Sequence, residues 1–185
     1  MIHPGWLALF YGSSEVLILT LRRSGNSSND TDKGSLRTIW AVINVSMMCG
    51  IAAGIYLPSA QFGTDVSLYW IGFVVFVFGL ALRWYSIAYL GRFFTVDVAV
   101  QSDQTVIDSG PYRLIRHPSY TGLLLAFYGL ALCFANYITL FFLTVPVTAV
   151  LLYRMRIEEA ALRAGLGESY RQYMNRTRRL IPYVY

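Results

Sequence analysis

Charge is what this chain has least of. Asp, Glu, Lys and Arg make up 14% of its 185 residues, against 56% hydrophobic residues. An ordinary soluble domain carries roughly a quarter charged residues, so that class is excluded. One compact unit covering residues 1–185 is expected, an all-α integral membrane bundle. Cysteine is scarce as well. Cys49 and Cys133 both lie in apolar runs, where a thiol acts as a small hydrophobe, so neither a disulfide framework nor any metal site is expected. Acid is scarcer than base, giving a net charge of +5. The basic residues sit beside apolar runs rather than on a separate face or tail, which fits a membrane surface and excludes a nucleic-acid partner. No basic stretch precedes the first apolar run and no small-residue cleavage site follows it, so that run is read as retained rather than as a signal peptide. No internal repeat is visible.

Long apolar runs are what the chain does have. A bilayer core of ~30 Å needs roughly 20 apolar residues per helix. Segments of about 2–21, 39–58 and 67–90 meet that requirement. A fourth apolar region, Pro118 to Tyr153, is too long for one crossing and is interrupted by Phe134-Ala135-Asn136-Tyr137, so it reads as a helical hairpin. Its arms are short for full crossings, which implies tilt or burial against neighbours. About five spans result, with a kink expected at Pro146, whose ring removes a helical hydrogen bond. Arg22, Arg23, Lys33 and Arg37 fall in the first loop, Arg92, Arg113 and Arg116 in the third, and Arg154 onward in the tail. The second and fourth loops carry no Lys or Arg. By the positive-inside rule the N-terminus is outside and the C-terminus, with the chemistry, is cytoplasmic. Ser24 to Ser35 is rich in Gly, Ser, Asn and Asp and reads as a mobile loop.

The residues able to do chemistry gather between Gln101 and Tyr120 and after Tyr153. Asp108-Ser109-Gly110-Pro111-Tyr112 reads as a turn. Pro118 suits the first position of the following helix, where its missing N–H costs nothing. The free N–H groups there, beside Arg116 and His117, form an anion site, or else the two side chains simply anchor the helix at the headgroups. Arg154 and Glu158 lie one helical turn apart on one face and suit a zwitterionic ligand or two ligands of opposite charge. The alternative is a solvated ion pair worth less than ~1 kcal/mol. The closing segment, Gly165 to Tyr185, is too polar to span, and its tyrosines lie at the interface or cover a site.

Ser109-Gly110-Pro111-Tyr112, then Arg116-His117-Pro118-Ser119-Tyr120-Thr121-Gly122, then Glu158-Glu159 and Leu166-Gly167-Glu168-Ser169-Tyr170, resemble in order and spacing the isoprenylcysteine carboxyl methyltransferase family. The resemblance covers roughly the last 90 residues. Phospholipid N-methyltransferases and sterol reductases share the Arg-His-Pro-x-Tyr element, and the Glu158-Glu159 pair favours the methyltransferases. The resemblance implies an S-adenosylmethionine-dependent enzyme that methylates a carboxylate on a prenylated or other lipidic acceptor among membrane lipids. It implies cofactor contacts at Gln101, Gln104, Thr105, Val106, Ile107, Tyr112, His117, Pro118, Ser119, Tyr120 and Glu158, and a substrate-contacting arginine at Arg154. Gln104 departs from the histidine common in the family, although glutamine can still bond an adenine edge. Chemically, Glu158 and Glu159 suit the cofactor's ammonium or ribose hydroxyls, and Arg116 or His117 its carboxylate. An amine acceptor, an NADPH-dependent reduction and a non-catalytic scaffold are the alternatives. The short tail is small for a dinucleotide, and a scaffold has no need of ordered polar residues after Gln101.

Two ionisable residues lie within spans. Glu15 is ~9 Å and Arg83 ~10 Å from the cytoplasmic ends of their helices at 1.5 Å per residue. Each needs a partner at that depth, and the two are expected to meet.

Overall fold

The computed structural model describes residues 2–21, 30–63, 65–94, 100 and 103–184. Among them five α-helices run in order: α1 (Pro4–Leu21), α2 (Asp30–Tyr56), α3 (Val66–Leu90), α4 (Pro118–Phe134) and α5 (Tyr137–Arg176). Three are long and apolar enough to cross a membrane, over Leu36–Tyr56, Val66–Phe93 and within Tyr137–Arg176. The 18 residues of α1 and the 17 of α4 reach only ~25–27 Å, a little short of a bilayer core. Large apolar side chains such as Trp6, Phe10, Met48, Val74 and Phe78 point outward, as lipid-facing residues do.

The expected hairpin is present, and its turn has a local cause. Ala135 adopts left-handed torsions and caps α4. Asn136, fully buried, opens α5, its Oδ1 accepting from the N–H groups of Ile138 and Thr139 at 3.0 and 3.1 Å. Its Nδ2 donates to the carbonyls of Leu57 at 2.9 Å and Ala53 at 3.3 Å, fastening the hairpin to the end of α2.

Helices α3 and α4 meet through glycine. Gly72 and Gly79 face Gly129 and Gly122, and the backbones come so close that a Cβ on Gly122 would lie 2.6 Å from the Arg83 nitrogen and one on Gly72 2.7 Å from the Gly129 carbonyl. Small residues at such a seam let dispersion forces act backbone to backbone, which matters where surrounding lipid removes the hydrophobic incentive to associate. The spacing was in the sequence, but which helix would receive it was not.

One expectation needs correction. From Asp30 the chain is already helical, so of the loop expected at Ser24 to Ser35 only the first part can be one, and 24–29 lie outside the described residues. Helix α5 contains Pro146 and departs from helical torsions at Gly167, with φ 60° and ψ −131°. That backbone region is open to glycine and closed to side-chain-bearing residues. Thr144, whose hydroxyl donates to the Leu140 carbonyl at 2.6 Å, precedes the proline by two residues. Before Gly167 the straight run of α5, from Tyr137 to Leu166, is ~45 Å long, more than the hydrocarbon needs.

The expected pair is formed. Arg83 donates from Nε and Nη2 to the two carboxylate oxygens of Glu15, both at 2.6 Å, and both residues are buried.

Candidate active site

The site is assembled where the start of α4 meets the folded-back tail. Gly110, at φ 56°, allows the tight turn into Pro111-Tyr112, and a Cβ there would come within 2.6 Å of the Tyr89 ring. Tyr112 is buried, its hydroxyl donating to the Ser86 carbonyl at 3.1 Å and its own carbonyl accepting from the Tyr173 hydroxyl at 2.7 Å. Burial, and then the nearby Glu158 carboxylate, push its phenol well above the usual range. The tail runs parallel to the approach to α4. Arg116 N–H donates to the Arg178 carbonyl at 2.7 Å, His117 N–H to that of Arg179 at 3.0 Å, and the Thr121 hydroxyl to that of Leu180 at 2.8 Å. Pro118 opens α4, with His117 as its cap residue.

Adjacent glutamates have different surroundings. Glu159, 1% exposed, accepts from Arg116 Nε at 2.9 Å and from Arg179 Nη2 at 2.8 Å, with His117 Nε2 at 3.3 Å. The Arg116 guanidinium is further committed to the carbonyls of Thr177 at 2.6 Å and Met174 at 3.1 Å. Protein donors therefore saturate Glu159 and hold Arg116, and the pair ties tail to loop. Glu158, by contrast, keeps 32% of its side chain exposed. It accepts from the Tyr120 hydroxyl at 2.9 Å and lies 3.9 Å from His117 Nδ1. The Tyr120 and His117 rings stack with centroids 5.5 Å apart.

Glu158 faces a cavity whose wall also includes Gln104, Thr105, Val106, Ile107, Tyr112, Arg116, His117, Ser119, Tyr120 and Arg154. Most of the residues singled out in the sequence are thus brought together. Pro118 and Glu159 do not line the cavity, and Gln101 lies outside the described residues. Tyr170 and Tyr173, of the closing segment expected to lie at the interface or cover a site, pack with Tyr112 at one end of the cavity, with Leu162 and Leu166 beside them. The structure also adds residues that sequence reasoning did not place there. Glu15 and Arg83 stand in the wall beside Ser119, and Ile18, Ile39, Trp40 and Ile43 give the cavity an apolar side. Nothing local marked Arg179 as a partner of Glu159, because their contact requires the tail to double back. Among the described residues no cluster of His, Cys, Asp and Glu could hold a metal ion.

Residues 70–164, just over half of the chain, match the model of the isoprenylcysteine carboxyl methyltransferase (ICMT) family. The chain belongs to the isoprenylcysteine carboxyl methyltransferase family. Over 180 residues it is 24% identical to a probable protein-S-isoprenylcysteine O-methyltransferase of rice (Oryza sativa subsp. indica), covering 96% of this chain and 93% of that protein. Over 142 residues it is 27% identical to protein-S-isoprenylcysteine O-methyltransferase B of Arabidopsis thaliana, covering 76% and 71% of the two. The solved structure of a eukaryotic intramembrane Ras methyltransferase of this name shares the fold, with a TM-score of 0.62, 23% identity and 80% of this chain covered. The chain spans about half, 53%, of that larger protein. The matched region carries the glycine seam, the start of α4 and the Arg154–Glu158 turn. It stops before the tail that completes the Glu159 network.

Proposed function

We propose that this protein transfers a methyl group from S-adenosylmethionine to the carboxylate of an isoprenylcysteine-like lipidic acceptor at the cytoplasmic face of a membrane. The observation that carries this reading is a single cavity that holds Arg154 and Glu158, has Gln104 and Thr105 in its wall and is apolar along Ile18, Ile39 and Ile43. Such a lining suits one polar and one lipidic ligand. Family membership favours methyl transfer over the reductase and scaffold alternatives.

The donor set fits the cofactor. The carboxylate of Glu158, open to the cavity, suits an ammonium or ribose hydroxyls, and Gln104 to Ile107 with Tyr112 form a wall suited to adenine. His117 and the first turn of α4 suit a carboxylate. Glu159 and Arg116, bonded to each other, act in this reading by positioning His117 and the tail. When bound, S-adenosylmethionine supplies an electrophilic methyl carbon. Arg154, 2% exposed in the cavity wall, holds and orients the acceptor carboxylate. A carboxylate is ionised at neutral pH, so no general base is needed. Leu123 and Leu151 exclude water from the attacking oxygen, and alignment supplies most of the remaining rate. An amine acceptor would need a group to take its proton. Glu159 is saturated and in this reading Glu158 holds the cofactor, which leaves His117 to take that proton, and family membership favours a carboxylate acceptor. The same reading takes α1 to α5 as five crossings with the N-terminus outside, supported by the confinement of Lys and Arg to alternate loops and the tail.

The test is incubation of purified protein with methyl-labelled S-adenosylmethionine and a synthetic S-farnesylcysteine acceptor. A base-labile labelled product is expected, as a methyl ester requires. Label that survives base would overturn the carboxylate assignment, and absence of transfer to any lipid acceptor would overturn the methyltransferase reading.

A further inference from the structure

The Glu15–Arg83 pair does more than neutralise two charges in an apolar bundle. It stands in the wall of the cavity, and its contacts join a rigid part of the site to a loosely held one. On the rigid side, Arg83 Nη1 donates to the hydroxyl of Ser119 at 3.2 Å and lies 3.4 Å from its carbonyl. Ser119 belongs to the first turn of α4, which the tail already fixes through His117 N–H to Arg179 and Thr121 to Leu180. That turn does not need Arg83 to stay in place. On the other side, α1 packs into the core through Leu7, Ala8 and Tyr11, the Tyr11 ring lying 4.9 Å from that of Phe127. Past Tyr11, among the described residues, the hydrogen bonds that tie it to another helix are those of Glu15 with Arg83.

The cytoplasmic end of α1 supplies Tyr11, Glu15 and Ile18 to the cavity, opposite Ile39 and Ile43 of α2. Beyond Leu151 on α5 and Leu123 on α4 the next inward residues, Val147 and Phe127, are packed in the core, so the cavity has a floor there. An acceptor chain held with its head at Arg154 must therefore lie against the α1–α2 side.

We propose, resting on the methyltransferase reading above, that the Glu15–Arg83 pair is an acceptor-positioning element: it registers the α1 wall against the fixed first turn of α4 and so sets where the lipidic acceptor lies relative to Arg154. The cofactor side is held by the tail and does not depend on it. Loosening the pair raises KM for the acceptor and leaves cofactor binding in place. A pair that serves only to hold the fold would change stability and would lower the active fraction without touching KM.

Single variants such as Glu15→Ala leave an unpaired buried cation and risk misfolding. The deciding variant is therefore the double change Glu15→Leu with Arg83→Met, which removes both charges and keeps apolar volume, a replacement that is often neutral or stabilising. Wild type and double variant are compared in detergent for thermal stability, for the thermal shift with S-adenosylhomocysteine and for steady-state kinetics with S-farnesylcysteine. The expected result is an acceptor KM about tenfold higher in a variant whose unfolding temperature and S-adenosylhomocysteine shift match wild type, as misregistered binding surfaces produce. Unchanged acceptor KM in a folded double variant overturns the proposal. If the double variant does not fold, Glu15→Asp, which keeps both charges and shortens the reach of the pair, is measured instead, and unchanged KM or a fall in kcat at constant KM counts equally against it. A wild type that transfers no methyl group defeats the methyltransferase reading rather than this one.

Discussion

The α3–α4 seam and the Glu159 network solve the same problem, holding α4 at fixed register, in opposite chemical terms. At the seam the sequence removes side chains, so that Gly72, Gly79, Gly122 and Gly129 bring backbones into contact. At the start of α4 it adds charge, and one carboxylate gathers two guanidiniums and an imidazole. The difference follows the solvent. In hydrocarbon a polar device would have to be complete to be tolerated, whereas at the end of a bundle water and headgroups can solvate charges while they assemble. The lesson is that α4 is gripped at both ends of its working half, so Tyr120 and Ser119 between the grips are preorganised.

The largest expected effect comes from breaking the polar grip. Glu159→Ala leaves Arg116, held among protein groups, without its counter-charge, and should cost about 3–5 kcal/mol, as loss of one partner of a buried pair does. Thermal unfolding in detergent measures it. A loss below about 1 kcal/mol would show that the network behaves as a surface ion pair.

Next in size is a change that leaves both grips intact. Arg154→Ala should lower methyl transfer to a carboxylate acceptor about a hundredfold while the S-adenosylhomocysteine thermal shift persists, since alignment and not cofactor binding is lost. Glu158→Ala should do the reverse and abolish most of the shift. Equal loss of the shift in both variants would move Arg154 to the cofactor.

Breaking the apolar grip should cost less. In Gly129→Ala the new methyl meets the Phe76 backbone and α3 must move outward, an overpacking effect of about 1–3 kcal/mol. Lipid on the far side of α3 can yield, which a packed soluble core cannot do. The check is unfolding in detergent against Gly12→Ala, a position open to at least 4 Å, and equal stability of the two variants would mean that the seam is not under contact.

Much of this was legible from the residues. The hairpin at Phe134 to Tyr137 and the α4 start at Pro118 follow from local rules of capping and proline, each with a signature within a few positions, and the pairing of Glu15 with Arg83 follows from their matched depth in two spans. The seam, the return of the tail to Arg116 and His117 and the saturation of Glu159 depend on register between distant segments. Glu158 and Glu159 differ by about 100° around the helix at 3.6 residues per turn, which is enough to send one to the cavity and the other to Arg116 and Arg179. Nothing in Glu158-Glu159 as a dipeptide says which is which. Gly167 was similarly ambiguous, because a glycine inside an apolar-polar helix can be tolerated or can break it, and here its positive φ ends the straight run of α5.

The smallest expected effect tests whether the preorganisation between the grips matters to the ligand. Tyr120→Phe removes the 2.9 Å contact from its hydroxyl to Glu158, together with the hydroxyl's contact with Arg154. The ring remains stacked on His117, and α4 remains held at both ends, so the fold should hardly respond. Glu158 would gain rotational freedom and would have to be ordered by the ligand instead. A hydrogen bond of this kind is worth about 0.5–1.5 kcal/mol, so S-adenosylhomocysteine should bind roughly threefold to tenfold more weakly. Isothermal titration of wild type and variant in the same detergent measures the difference directly. Unchanged affinity would mean that Glu158 is fixed by its backbone and by His117 alone. A loss well beyond tenfold would mean that the Tyr120 hydroxyl itself contacts the ligand, and Tyr120 would then belong with Glu158 among the groups that bind it.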